Sequence, residues 1–127
     1  MKADLHNHSY YSDGVLSPSE VVKLASEAEC DLFSLTDHDT TDGIAEAQLE
    51  ADKLNLNLIN GVEISAFWRN MAIHILGLGI DINNDILQTG LEHNKKLRKE
   101  RAEKIALDLW RSGIKDALEK TQSFSKT

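Results

Sequence analysis

Cysteine is almost absent from this 127-residue sequence, where Cys30 stands alone. A single cysteine excludes an intrachain disulfide, and with it a fold that depends on oxidation. No activating pattern lies beside Cys30, so it reads as a small apolar residue at the end of a helix rather than as a catalytic thiol. Proline also occurs once, at Pro18, and aromatic residues make up 6%. Apolar runs are short. None approaches the roughly 20 residues that span a bilayer. The opening Met1-Lys2-Ala3-Asp4-Leu5-His6 has no apolar stretch of signal-peptide length. The expected location is the cytoplasm, with no membrane partner. Basic residues are outnumbered by acidic ones, 14 against 21, for a formal charge of −7. That balance argues against a uniformly basic surface for duplex nucleic acid. Phosphates remain accessible as ligands if metal ions supply local positive charge.

What is present is the composition of a globular domain, 41% hydrophobic and 28% charged. The length fits one domain or part of a larger one. No internal repeat or low-complexity tract interrupts it. Short apolar strands alternate with amphipathic helices. Residues 2–7 read as a first strand, followed by a polar loop that turns at Ser12-Asp13-Gly14. Ser17-Pro18-Ser19-Glu20 is a helix start, with Ser17 as N-cap, Pro18 at the first helical position and Glu20 closing a capping box. Val21, Leu24, Ala25 and Ala28 then fall on one face. Residues 31–36 form a second strand, and Ile44, Ala47, Ala51 and Leu54 mark a second helix. Residues 58–64 are a third strand and 72–78 a fourth. A long charged helix runs from about Asn84 to Ser112, with Gly113 placed to end it as a left-handed cap, and the chain closes in a polar tail, residues 122–127. Strand, helix, strand, helix, strand predicts an α/β fold whose sheet is largely parallel, with crossover helices. Such folds collect their chemistry at the C-terminal ends of strands.

The unusual residues fall at those ends. His6 and His8 close the first strand, and alternate strand residues face one side, so the two imidazoles point together as a metal claw. Asp13 follows in a tight turn, and Asp37-His38-Asp39 begins the loop after the second strand. Glu63 lies in the otherwise apolar Gly61-Val62-Glu63-Ile64. An ion pair with Arg69 or Lys53 would satisfy it; so would two metals that it bridges. His74, within Ile73-His74-Ile75, reads either as a hydrogen-bonded core residue or as a ligand. Asp37 or Asp39 could orient ligand histidines from behind. His93, in the polar helix, reads as solvated. Mixed imidazole and carboxylate ligands suit zinc, manganese or iron. Gly77-Leu78-Gly79 lacks the third glycine and the helix start of a dinucleotide loop.

Five stretches in order, Asp4-Leu5-His6-Asn7-His8-Ser9, Ser12-Asp13-Gly14, Leu35-Thr36-Asp37-His38-Asp39-Thr40, Gly61-Val62-Glu63-Ile64-Ser65 and His74-Ile75-Leu76-Gly77, resemble successive motifs of the polymerase-and-histidinol-phosphatase (PHP) family. The long helix, with Arg98 and Arg101, is similar to its continuation in the stand-alone nucleotide phosphoesterase branch. The resemblance implies a distorted barrel of about seven parallel strands, of which this chain is the N-terminal part. It implies that His6, His8, Asp13, His38, Glu63 and His74 bind two or three divalent ions (manganese, zinc or iron). Glu63 would bridge, and Asp13, His38 and Glu63 would carry the catalysis. It implies hydrolysis of phosphate esters, of a nucleoside 3',5'-bisphosphate or short oligoribonucleotide, or of histidinol phosphate in a second branch. Family members of this branch are roughly twice as long, and their later half brings further metal ligands for which this sequence has no counterpart after His93. Four strands do not close a barrel, so an open sheet edge and self-association through it are expected, and a catalytically incompetent metal-binding remnant is the rival reading.

Overall fold

The computed structural model describes residues 1–124. Its first two thirds follow the expected alternation. Strand β1 (Ala3–Asn7) leads into helix α1 (Pro18–Glu27), strand β2 (Leu32–Leu35), helix α2 (Ile44–Leu54) and the short strand β3 (Asn57–Leu58). The three strands pair in parallel in the order β1-β2-β3, so β2 is central and is the most buried. Phe33 and Leu35 of β2 pack with Val22 and Ala25 of α1, Ala47 and Ala51 of α2, and Leu56. Alanine at three of these seven positions lets the two helices lie close to each other and to the sheet. Cys30 is half-buried against this core, as a small apolar residue would be.

The helix ends follow local chemistry. Ser17 Oγ accepts from the Glu20 amide at 3.2 Å, and the Glu20 carboxylate accepts from the Ser17 amide at 2.8 Å, the reciprocal box that the sequence predicts. Helix α3 (Asp85–Arg111) starts at Asn84, whose side chain accepts from the Leu87 amide, and Gly113 follows its end at φ +91°. Helix α4 (Ala117–Gln122) is short, and part of the predicted polar tail lies outside the described residues. The inward faces differ by one position from expectation. In α1, Val22 is fully buried and Leu24 is exposed; in α2, Ile44, Ala47 and Ala51 are buried and Leu54 is about one third exposed.

The third predicted strand divides in two. Leu58 ends the parallel sheet, and after Ile59-Asn60 the chain sets out again as β4 (Gly61–Trp68), which folds back on β5 (Met71–Leu78) in an antiparallel hairpin. The turn is Arg69-Asn70, both left-handed at φ +47° and +64°. Two successive positive φ values are what a two-residue hairpin turn requires for its twist to match the strands. Gly61 is the pivot, because a Cβ there would collide with Ser34 Oγ. Beyond the pivot, β4 remains tied to the parallel layer by one bridge, His38 to Glu63. In it the Asp39 amide donates to the Glu63 carbonyl and the Glu63 amide to the Asp37 carbonyl. No closed barrel forms among the described residues. Apolar side chains of the hairpin and α3 stay exposed, including Phe67, Trp68, Ile75 and Trp110, and Leu91 is the one buried residue of α3.

Candidate metal centre

Four segments deliver the six predicted site residues to one place. β1 and its exit bring His6 and His8, the turn after them brings Asp13, the loop after β2 brings His38, and the hairpin brings Glu63 and His74. Glu63 is the hub. Its Oε2 lies 2.9 Å from His6 Nε2, 3.1 Å from His8 Nε2 and 3.4 Å from His38 Nδ1, and its Oε1 lies 3.0 Å from His74 Nδ1. Asp13 closes the far side, with its two oxygens 3.3 Å from His8 Nδ1 and 3.4 Å from His38 Nε2. The rings crowd one another at 4.6 to 5.2 Å between centroids. Burial is graded from a floor at Glu63 (side chain 7% exposed) to a rim at Asp13 (60% exposed). Neither Lys53 nor Arg69 neutralises Glu63. Lys53 pairs with Glu50, and Arg69 lies over the Trp68 ring.

The donor set fits divalent ions. A neutral imidazole has one N–H and one bare nitrogen. Each imidazole here can turn its bare nitrogen toward a shared cation. His38 Nδ1 is buried and has no hydrogen-bond partner among the described residues, as an uncoordinated ligand atom would be. Three overlapping groups, His6-His8-Glu63, His8-Asp13-His38 and His38-Glu63-His74, each bring their ligand atoms within 4.8 Å of one another and can hold an ion. Burial raises the Glu63 pKa, but the His6 hydrogen bond and the charges of His38, His6 and His8 outweigh it, and the net shift is downward. Burial pushes His38 down, against the pull of Glu63 and Asp13, which favours the neutral form that a metal ligand needs.

Asp37 and Asp39 correct an expectation: no hydrogen bond or ion pair joins either to a histidine. Asp37, buried, accepts from the Ser9 amide, Ser9 Oγ and Ser12 Oγ, all at 2.7 Å, and so pins the loop that carries His8 and Asp13. Asp39, fully buried at φ +54°, accepts from the Ser65 amide at 2.8 Å, Ser65 Oγ at 2.6 Å and Asn94 Nδ2 at 2.8 Å. It ties β4 and α3 to the loop of His38. Burial opposes ionisation of Asp39, but the Ser65 and Asn94 hydrogen bonds and the Arg98 charge hold its pKa low. Ser9, Ser65 and Asn94 were not singled out in the sequence. Ser65 carried a signal, being two residues after Glu63 and hence on the same strand face; Asn94, in a polar helix, carried none. His93 is exposed and stays outside the cluster, as expected.

Several known proteins are similar to this chain. A 5'-3' exoribonuclease of Haemophilus influenzae is 44% identical over 116 residues, covering 91% of this chain and 42% of that protein. A 3',5'-nucleoside bisphosphate phosphatase of Chromobacterium violaceum is 43% identical over 111 residues, covering 87% and 39%. The chain thus spans about two fifths of the length of these relatives. The structure of a C. violaceum amidohydrolase, with bound sulfate and no metal, superposes over the whole chain and 45% of that protein, with a TM-score of 0.95 at 38% identity. The PHP domain matches residues 4–118. With the histidine and carboxylate cluster at the strand ends, this match means that the chain belongs to the PHP domain family.

Proposed function

We propose that the chain carries the principal metal-binding part of a metal-dependent phosphoesterase that acts on nucleotides. The single observation that carries this reading is the convergence of four imidazoles on the buried Glu63 carboxylate, with Asp13 closing the far side against His8 and His38. His6, His8, Asp13, His38, Glu63 and His74 are the ligands of two or three divalent ions, manganese, zinc or iron, in keeping with their mixed nitrogen and oxygen donors. Ions in such a site supply Lewis acidity, which acidifies water and offsets charge on phosphoryl oxygens.

The chain's own residues do the rest. Glu63, on the floor, stays ionised and holds the imidazoles around it. Asp13, at the rim, is the carboxylate that an incoming phosphate ester meets first. Asp37 and Asp39 keep the ligand loops in place. Nucleoside 3',5'-bisphosphates and short oligoribonucleotides are the proposed substrates, supported by the names of the exoribonuclease and bisphosphatase relatives. No helix among the described residues is long and apolar enough to cross a membrane; a cytoplasmic location is part of the same proposal.

A second reading, a metal-binding remnant without turnover, is favoured by the half-exposed His6 and His74 and the uncovered apolar hairpin. Native mass spectrometry after incubation with manganese or zinc, followed by phosphate release from a nucleoside 3',5'-bisphosphate, separates the two. Two or more ions with turnover support the enzyme, ions without turnover support the remnant, and a chain that retains no ion sinks both.

A further inference from the structure

The metal cluster occupies one face of the β4–β5 hairpin. The contact of His74 Nδ1 with Glu63 Oε1 across the ladder fixes which face it is. Alternate strand residues share a side, so Glu63, Ser65 and Phe67 of β4 lie on that face. Opposite them, in the same order, stand Leu76, His74 and Ala72 of β5. Burial falls away along the face. Glu63 is buried, Ser65 is half-buried and Phe67 is 75% exposed.

Phe67 is the last β4 residue on this face and the one aromatic ring among these six residues. Across the ladder it meets Ala72, whose methyl group is too small to cover a ring. The neighbouring Trp68 points to the other face, where Arg69 lies over it. A phenyl group left in water contributes nothing to the core, and its apolar area favours burial against a flat partner. Phe67 stands two residues beyond Ser65, the residue opposite His74, which is about 7 Å along the strand. That is the scale of a sugar joined to its base. A phosphate ester held at the cluster thus has the group on its sugar within reach of this ring.

We propose that Phe67 is a stacking platform for the nucleobase of the substrate. The inference rests on the phosphoesterase reading and deepens it, by naming the residue that recognises the base. Every base has a π face, so stacking accepts any of them, and the fused rings of a purine overlap the platform more than a pyrimidine does. The side chain of Ala72 has no donor or acceptor, so the residue across the ladder does not select among base edges. The ring also separates nucleotides from phosphate esters that lack a base.

The test is isothermal titration of the full chain in manganese with adenosine 5'-monophosphate, cytidine 5'-monophosphate and ribose 5-phosphate. The fluorescence of 2-aminopurine riboside 5'-monophosphate, which is quenched on stacking, serves as a second readout. The wild type is expected to bind the adenosine nucleotide about 5- to 100-fold more tightly than ribose 5-phosphate, with the cytidine nucleotide between them. Phe67→Ala and Phe67→Leu are expected to erase most of that preference and the quenching, and to leave ribose 5-phosphate binding and manganese content unchanged. Phe67→Trp is expected to keep both. Circular dichroism checks that each variant is folded. A preference and quenching that survive in both the alanine and leucine variants, or a loss shared equally by ribose 5-phosphate, overturns the platform. A wild type that binds all three ligands alike overturns the platform alone. A wild type that binds none of them in manganese overturns it together with the phosphoesterase reading.

Discussion

Asn94 of α3 and Asp39 of the loop after β2 are 55 residues apart in sequence and meet at 2.8 Å, the amide donating to a carboxylate with no exposed surface. Asp39→Asn keeps the shape but turns one acceptor into a donor among groups that are themselves donors. A mispaired buried group costs about 1–3 kcal/mol. The melting temperature followed by circular dichroism should drop by several degrees, and Asn94→Ala should drop it less. A melt of Asp39→Asn that coincides with the wild type would show that the bracket is not structural.

Gly14 limits the turn that carries Asp13. A Cβ at this position would collide with the His8 carbonyl oxygen and lie 2.7 Å from His8 C and 2.9 Å from Ser9 C, all backbone atoms that cannot step aside. Gly14→Ala should therefore destabilise the chain by roughly 1–3 kcal/mol. It should also weaken manganese binding, because the loop that must shift holds both His8 and Asp13. Denaturant titration and calorimetric metal binding read the two effects separately; an unaltered denaturation midpoint with unaltered binding would contradict both.

The pH dependence of the metal-free chain follows from three depressed pKa values. His38 sits below its ordinary 6.5, Glu63 below 4.5 and Asp39 below 3.8. In each case the unfolded chain takes up a proton before the folded one, so stability falls as pH falls. The His38 contribution starts to be lost below pH 6.5, and those of Glu63 and Asp39 below 4.5 and 3.8, each until the folded-state pKa has been passed. Urea denaturation in chelator from pH 8 to pH 4 should give midpoints that hold level down to about pH 7 and then decline. A midpoint that rose between pH 7 and pH 5 would mean that His38 gains protons on folding, the reverse of its burial.

Metal should add stability at neutral pH. A ligand that binds the native state alone at 100 times its Kd adds about 2.7 kcal/mol. Manganese or zinc should therefore raise the melting temperature of the wild type at pH 7.5. The double substitution His6→Ala, His8→Ala should abolish the rise and leave little metal in the protein by elemental analysis. Full metal content in that double variant would remove the two histidines from the ligand set.

The sequence exposes the ends of this fold more readily than its joints. The capping box at Ser17 and Glu20, the cap at Gly113 and the apolar β2 are local signals, set by nearest neighbours and readable as such. The cluster residues are legible for a similar reason, since histidines and a lone glutamate in apolar strands have few other uses. The hairpin is not. Arg69-Asn70 lacks the glycine that usually marks a tight turn, and two adjoining apolar strands look alike whether they run parallel or antiparallel. The roles of Asp37 and Asp39 stay hidden as well. Both flank His38, and only the path of the backbone turns one toward Ser9 and the other toward Ser65.

The wide sequence separation of the ligands also has a temporal side. His6 and His8 leave the ribosome as a pair, whereas Glu63 and His74, which close the site around them, are made 55 or more residues later. At about 5–20 residues per second, the interval between His8 and His74 is roughly 3 to 13 s. During that time the nascent chain presents a bare two-imidazole chelate, open to whichever soft cation is most abundant nearby. The completed cluster stays open to solvent along the rim formed by Asp13, His6 and His74, so an ion taken up early by the pair alone could still exchange there.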